Sequence, residues 1–514
     1  MQAWARRCGG FGIWALIGAV AGLGQLPFDL PWLALLALAC AFAMPLGPRS
    51  LAARARTRFV GGFGAGWALG CGYFLVTLHW ITKPFMVDPA RDGWMAPFGL
   101  FFMVTGLALF WGLGFGVARA VAPRHGRAVA LVAAWAGAEM LRAHILTGFP
   151  WALPGHAWIG RGIGQTAALW GAHGLTLVTL GVAALVGWGL ARLRREAMRG
   201  AVMVLVPLLA LWGADVVLRP GPAPDAAEGP VIRIVQPNVP QQEKDDPDAV
   251  PVYVRRLMDL SAEAGPRDLV VWPETALPWL LDYMPDLLPP IADAAAAPLA
   301  MGVMRNEGAL YYNSLAVIGV GGRIEAVYDK RHLVPFGEYV PFGDLAARFG
   351  IRGLAAADGA GYAAGQGNAL MAIAGIGDVL PLICYESIFP EEMPLGGARP
   401  RMILLVTNDA WFGEFSGPYQ HFALARLRAI ETGLPVVRAA NTGISAMIDG
   451  NGRVLASLDL GVAGKIDAVL PPVLPPPPYA QGGDWPVAVA LCLLLAIVAG
   501  LRRKNGIDRA SAPL

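Results

Sequence analysis

The chain has 514 residues, room for two or three domains, and 56% of them are hydrophobic while only 15% are charged, against about a quarter charged in typical globular domains. That balance excludes an ordinary soluble enzyme and indicates a membrane protein. The net charge of +3 arises from short arginine clusters, not from a broad basic face, which argues against nucleic acid as a partner.

Seven apolar stretches come first, over residues 11–27, 32–46, 59–81, 98–118, 128–146, 163–190 and 201–218, and an eighth, 485–501, closes the chain. A crossing helix needs about 20 mainly apolar residues, and runs of about 17 still cross. Positive charge in short loops accumulates on the cytoplasmic side, and here every second loop is basic. Arg6 and Arg7 precede the first stretch; Arg49, Arg54, Arg56 and Arg58 follow the second; Arg119, Arg124 and Arg127 the fourth; Arg192, Arg194, Arg195 and Arg199 the sixth; Arg502, Arg503 and Lys504 the eighth. The other loops carry Asp29, or balance Lys83 and Arg91 against Asp88 and Asp92. The pattern predicts both termini in the cytoplasm and the block after span seven outside it. Residues 1–219 are then a membrane bundle of seven spans, 220–483 an extracytoplasmic catalytic domain ending in a Pro-rich linker, and 484–514 the eighth span with a cytoplasmic tail. More spans follow the first and no small-residue cleavage site is evident, so a cleaved signal peptide is the weaker reading of the N-terminus.

Few polar residues interrupt the bundle. Glu139, Arg142 and His144 cluster before Thr147-Gly148-Phe149-Pro150-Trp151, and Asp215 ends span seven. Intramembrane charges are functional candidates by default, yet a Glu139–Arg142 pair bracing the bundle explains these as well. So sparse a set argues against an ion or proton pathway. Gly61-Gly62-Phe63-Gly64-Ala65-Gly66 reads as close helix packing.

From residue 219 the composition becomes that of a soluble α/β domain. Strands are expected at 231–236, running into a polar turn, and at 268–272, 300–304, 314–319, 379–383, 402–407 and 445–448, with helices over 253–264 and 419–431 among the segments between them. Such alternation indicates sheets covered by helices. The prolines of 471–478 predict a stiff extended linker.

The five cysteines show neither zinc spacing nor a disulfide framework, and no metal or cofactor constellation is visible. Cys40, Cys71 and Cys492 fall in apolar runs and read as small buried hydrophobes; Cys8 suggests no role. Cys384, after the run Val379-Leu380-Pro381-Leu382-Ile383, is the one cysteine of the polar block. In an oxidising compartment an unpaired thiol is a liability unless used. Two other segments end strands in reactive groups: Trp272-Pro273-Glu274, and Tyr328-Asp329-Lys330-Arg331-His332, which leads on to Glu338. Singly, each has a plainer reading: a solvated acid, an exposed lysine, a core thiol.

The order Glu274, Lys330, Cys384 resembles the nitrilase superfamily of carbon–nitrogen hydrolases, and more closely its membrane-anchored apolipoprotein N-acyltransferase branch. The resemblance rests on Thr147 to Trp151, Trp272-Pro273-Glu274, His332 to Pro341, Cys384-Tyr385-Glu386, and Thr407-Asn408-Asp409-Ala410-Trp411-Phe412-Gly413 leading to Gln420-His421-Phe422. It implies a multi-pass α-helical bundle of eight spans in a bacterial inner membrane, joined to a periplasmic αββα sandwich. It implies that Cys384 attacks a membrane phospholipid ester, that Glu274 is the general base, and that Lys330 favours the thiolate and stabilises the oxyanion. Tyr385 would add an oxyanion N–H, and Glu338 and Glu386 would orient Lys330. The acyl thioester would then pass to the amine of a diacylated apolipoprotein, with no cofactor. Where some members carry a lipid-contacting aromatic, this chain has Asp245 and Asp246 after residues 240–244. Apolar residues fit a mouth opening at the bilayer: Trp279 within 277–284, and Trp411, Phe412 and Phe415; core packing is the other reading of both stretches. A membrane-tethered amidase or nitrilase, with water resolving the thioester, shares all these motifs, and a transporter with an inert domain is a third reading.

Overall fold

The computed structural model describes residues 2–44, 55–122, 126–222, 228–341, 361–367, 370–393 and 398–510. Arg49, Arg54 and Arg124, and the side chains of Arg6, Arg7, Cys8, Arg502, Arg503 and Lys504, lie outside the described residues. The chain divides into two units, one of Met1–Thr82, Ala96–Arg219 and Gly482–Leu514, the other of Lys83–Met95 and Pro220–Gln481.

The first unit is helical: α1 Gln2–Gly22, α2 Pro31–Ala43, α3 Ala55–Thr77, α4 Ala96–Val121, α5 Arg127–His144, α6 Ala167–Arg192 and α7 Ala197–Val217, with Trp485–Ala510 at the end of the chain. Each apolar stretch of the sequence is thus a helix. Among the described residues, four helices are long and apolar enough to cross a membrane: Arg56–Thr77, Gly93–Val121, Gly162–Arg192 and Ala197–Val217. Gly10–Gly22, Pro31–Ala43 and Trp485–Gly500 are apolar but shorter.

Small residues let the helices approach until backbones touch, as lipid-embedded helices do. A Cβ on Gly18 would lie 1.9 Å from the Leu69 carbonyl oxygen, and one on Gly72 would lie 1.8 Å from that of Ala15, so α1 and α3 meet glycine to backbone from both sides. Beside this seam the rings of Tyr73, Trp111, Phe115 and Trp135 pack with centroids 4.6 to 4.9 Å apart. The bundle's charges have structural partners. Glu139 accepts hydrogen bonds from the Trp111 indole and the Arg142 guanidinium, and Arg142 donates to the carbonyls of Phe149 (2.5 Å) and Trp151 (3.0 Å). The pair therefore clamps the 147–151 loop. His144 and His173 each stand 4.0 Å from Asp484, and Asp215 accepts from Arg219 at 3.0 Å. Contrary to the buried reading, Cys40 and Cys492 are exposed and Cys71 is half-buried. An apolar outer face costs nothing in lipid, so hydrophobicity alone does not place a helix residue inside.

In the second unit twelve strands are described. One sheet has the order β12-β1-β2-β3-β4-β5 and the other β11-β10-β9-β8-β7-β6. The ranges are β1 Val231–Gln236, β2 Leu269–Trp272, β3 Leu299–Glu307, β4 Leu310–Ile318, β5 Ile324–Asp329, β6 Met371–Ile373, β7 Gly377–Ile383, β8 Met402–Thr407, β9 Val436–Ala440, β10 Ser445–Ile448, β11 Val454–Leu458 and β12 Gly464–Val469. Strands β1-β2-β3 and β7-β8-β9 run parallel, so their carboxyl ends share a direction.

Side chains alternate faces along a strand, and the sequence pattern matches. Leu269 and Val271 of β2 join Met402, Leu404 and Val406 of β8 in the core between the sheets. Val270 and Trp272 face outward onto Tyr253, Leu257 and Ile291, carried by helices α8 Val250–Ala262 and α9 Leu288–Ala295. On the other side Leu380, Leu382, Ile403 and Leu405 pack on Ala425 and Ala429 of α10, Gly417–Thr432. The result is an αββα sandwich. Five strands escape the sequence reading: β5, β6, β9, β11 and β12. β5, β11 and β12 interleave charged or small residues, β9 buries Arg438, and β6 is three residues long. Residues 471–477 have no regular structure and lie along the domain, Leu474 N–H donating to the Gly433 carbonyl at 3.0 Å.

Candidate active site

Glu274 follows β2, Lys330 follows β5 directly, and Cys384 follows β7 directly. Each stands where a strand's backbone ladder ends and its side chain can leave the sheet. Glu274 turns in tightly. Thr275 has φ 44°, and a Cβ on Gly302 would lie 2.5 Å from Glu274 Cα, so only glycine in β3 lets the acid's backbone settle there.

Glu274 and Lys330 meet in one buried cluster, and their charges act on the buried Cys384 thiol. Lys330 Nζ donates to Glu338 Oε1 at 2.9 Å and stands 3.8 Å from Glu274 Oε1. Asn313 Nδ2 bridges the carboxylates, 2.7 Å from Glu274 Oε1 and 3.1 Å from Glu338 Oε1. The other oxygen of Glu274 accepts the Asn408 N–H at 2.7 Å. Glu338 Oε2 accepts the Val334 N–H at 2.9 Å, fixing the loop that carries it.

Cys384 has φ 52°, in the left-handed region, a conformation a non-glycine residue adopts at a cost of about 1–3 kcal/mol and keeps only when its surroundings hold it there. Glu386 supplies much of that hold. Its Oε2 accepts Ile383 N–H at 2.7 Å; its Oε1 accepts Arg331 N–H at 2.7 Å, Tyr328 O–H at 2.9 Å and His332 N–H at 3.2 Å. Glu386 thereby ties the segment after Lys330 to the turn at the cysteine. Tyr385 adds its ring to a buried aromatic group with Phe389 (5.0 Å), on which His332 stacks at 3.7 Å.

Electrostatics set the resting protonation. Burial, and then the charge of Glu274, push the Cys384 thiol well above its ordinary range, and Lys330 pulls the other way without prevailing. Lys330 thus does not make a thiolate of the resting cysteine. Burial would lower the lysine, but the carboxylates of Glu338 and Glu274 raise it and keep it charged. Burial raises Glu386 to about 6, against three backbone hydrogen bonds and the charge of Lys330.

Two further residues escape sequence reading. Lys244 is buried and donates to the Glu274 carbonyl (3.2 Å), the Thr275 carbonyl (2.8 Å) and the Thr275 hydroxyl (2.8 Å), pinning the loop that carries Glu274. In sequence it is one charge in the run Glu243-Lys244-Asp245-Asp246. Asn313 had one signal, a lone amide in the apolar strand β4. Of the lipid-contact candidates, Trp279 and Phe415 are exposed, by 39% and 52%. Trp411 is half-buried, and Phe412 packs on the inter-sheet core and the edge of the His421 ring at 5.4 Å. Leu277, Leu281 and Met284, read with Trp279 as a mouth, belong to the outer core, while Tyr283 is exposed.

A four-layer sandwich with an acid, a lysine and a cysteine at strand ends defines a carbon–nitrogen hydrolase domain, and the Carbon-nitrogen hydrolase family model matches residues 232–471. A second model, the Apolipoprotein N-acyltransferase N-terminal domain, matches residues 17–185. The chain is 38% identical over 470 residues to an apolipoprotein N-acyltransferase of Rhodopseudomonas palustris, covering 86% of each chain. It is 40% identical over 480 residues to one of Caulobacter vibrioides, covering 88% of each. A CN-hydrolase superfamily structure from Xanthomonas campestris aligns with 53% of this chain and 96% of its own, at 21% identity and TM-score 0.34. The chain belongs to the apolipoprotein N-acyltransferase family.

Proposed function

We propose that the chain N-acylates apolipoproteins through a thioester on Cys384, taking the acyl group from a membrane phospholipid. The observation that carries the mechanism is the buried cluster of Glu274, Lys330 and Glu338 at the turn of Cys384, in a chain of this family. Because burial holds the resting thiol protonated, attack needs a base, and Glu274 is the carboxylate whose charge acts on it most, ahead of Asp409. Glu274 takes the thiol proton as sulfur bonds to the ester carbonyl carbon. The oxyanion is stabilised by Lys330 Nζ and the Tyr385 N–H, an effect worth about 3–4 kcal/mol per donor at preorganised sites. Collapse breaks the ester C–O bond; the lysophospholipid oxygen leaves with the proton held on Glu274, and the acyl group stays on sulfur. In the second half the α-amine of an S-diacylglyceryl cysteine attacks the thioester and gives its proton to Glu274. The C–S bond breaks, and sulfur recovers the proton. An amide is more stable than a thioester, so transfer runs forward, and kinetics are ping-pong.

In the same proposal residues 1–219 and 484–514 supply eight crossings of a bacterial inner membrane with both termini cytoplasmic. Residues 220–483 act on the far face, where lipid-anchored acceptors reside. Trp279 and Phe415 are the exposed aromatics for lipid contact. The test is incubation of detergent-solubilised protein with an acyl-labelled phospholipid, then with a diacylated lipopeptide. Mass spectrometry should find the label on Cys384 and then on the lipopeptide amine. Equal labelling of Cys384→Ala defeats the thioester, and label lost to water but never passed to the amine makes the chain a hydrolase.

A further inference from the structure

Asp409 and His421 take no part in the acyl-transfer steps, yet the fold brings both to the turn that carries the nucleophile. Asp409 follows β8, His421 lies on α10, Arg438 on β9 and Ser387 in the short 3-10 helix Cys384–Ile388. All four are fully buried. Arg438 Nη2 donates to Asp409 Oδ2 at 2.7 Å, and His421 Nδ1 lies 2.9 Å from Asp409 Oδ1. On the far side of the ring, His421 Nε2 lies 2.9 Å from Ser387 Oγ and 3.2 Å from the carbonyl oxygen of Cys384. Ser387 Oγ donates to that same carbonyl at 2.9 Å.

Proton counting gives these contacts a direction. Burial would raise the Asp409 carboxyl, but the charges of Arg438 and His421 hold it well below the usual carboxylate range. A carboxylate only accepts, so Nδ1 donates to it. Ser387 has a single hydroxyl proton and gives it to the carbonyl, so Nε2 meets the hydroxyl lone pair and the carbonyl as a donor. Asp409 thus fixes the ring, the ring fixes the hydroxyl, and two donors converge on one carbonyl oxygen. That carbonyl shares a peptide unit with the Tyr385 N–H. The unit is planar and trans, so the N–H stands on the opposite edge and turns with the oxygen about the Cα–C bond of Cys384. Holding the oxygen therefore sets where the N–H points.

We propose that Asp409, His421 and Ser387 position the Tyr385 N–H as an oxyanion donor by holding the Cys384 carbonyl on the other edge of the same peptide. The proposal rests on Cys384 being the nucleophile and on the Tyr385 N–H meeting the oxyanion. The backbone N–H of the residue after a nucleophile serves this purpose in other acyl-transfer enzymes. Asp409, His421 and Ser387 are positioning residues, acting through that peptide.

The experiment uses the full chain in detergent, as wild type, Ser387→Ala, Ser387→Thr and His421→Gln. Two reactions of Cys384 are followed by peptide mass spectrometry: acylation, by labelled phospholipid and by p-nitrophenyl octanoate, and alkylation by iodoacetamide. Acylation passes through an oxyanion, whereas displacement of iodide by sulfur does not. Losing an oxyanion donor outright costs about 100- to 1000-fold and loosening one costs less, so Ser387→Ala should slow acylation by both esters roughly 10- to 100-fold. His421→Gln should do the same, because a glutamine amide has both polar atoms at one end and does not reach from Asp409 to the carbonyl. Iodoacetamide labelling should be unchanged in both. Ser387→Thr keeps the hydroxyl and should acylate close to the wild-type rate. Unmoved acylation in Ser387→Ala and His421→Gln overturns the proposal, as does labelling that falls in step with acylation, the mark of a collapsed turn. A Ser387→Thr variant that is labelled normally yet acylated as slowly as Ser387→Ala overturns it too. A wild type acylated by neither ester would instead defeat the thioester reading, and the proposal with it.

Discussion

Charge around Cys384 separates its reactivity toward a small reagent from its competence in catalysis. Glu274 pushes the thiol up and Lys330 pulls it down. Replacing Glu274 with Gln should therefore speed iodoacetamide labelling of Cys384 at neutral pH, roughly tenfold for each unit by which the thiol falls, while abolishing phospholipid-dependent acylation. Lys330→Met should slow labelling and abolish acylation too. Labelling slowed by Glu274→Gln would contradict the electrostatic account. Lys244 offers a different reading of charge. Burial lowers it to about 8, against the pull of Glu274 and Asp245, so above that pH the folded form binds fewer protons than the unfolded chain. Stability rises with pH wherever the unfolded state binds more protons. Melting midpoints compared between wild type and Lys244→Met should thus shift in favour of the wild type as pH climbs from about 8 toward the ordinary lysine value.

Among the elements, β3 decides where Glu274 sits. Because a Cβ at Gly302 would meet Glu274 Cα and the Pro273 carbonyl, both at 2.5 Å, Gly302→Ala forces backbone to move. Overpacking of this kind costs about 1–3 kcal/mol, and a displaced catalytic group costs on the order of 100-fold in rate. Acylation by Gly302→Ala should fall by about that factor with a modest drop in melting temperature; wild-type turnover would show that the loop relaxes freely. A continuous apolar run makes β2, β7 and β8 legible because both of their faces are buried. It fails for β5, Ile324–Asp329, where four of six residues are exposed or half-buried before Tyr328 is reached. Sheet-edge strands need only backbone partners, so their side chains carry little pattern.

For the molecule as a whole, the proposed topology rests on the alternation of basic loops in the sequence. Alkaline phosphatase fused within the 220–483 region should be active in a bacterial host, and a fluorescent protein fused after residue 514 should fluoresce in the cytoplasm. An inactive phosphatase fusion there would place the catalytic unit on the wrong face for a lipoprotein substrate. Four helices carry the length and apolarity to cross alone. The α5 helix holds Arg127, Glu139 and Arg142, and the last two are buried as a partnered pair, so protein neighbours offset what lipid would penalise.

The sequence by itself determined the family, the two-part plan and the three reactive groups, because motif order and apolar run length are one-dimensional properties. Tertiary structure alone decided how those groups behave. That burial pushes the thiol up, that Asn313 joins two carboxylates, that Glu386 ties the segment after Lys330 to the turn at Cys384, and that His421 reaches the Cys384 carbonyl all depend on desolvation and on contacts between residues far apart in the chain. Burial cannot be read from a residue's neighbours in sequence, and it is burial that sets the charge state on which the chemistry of Cys384 turns.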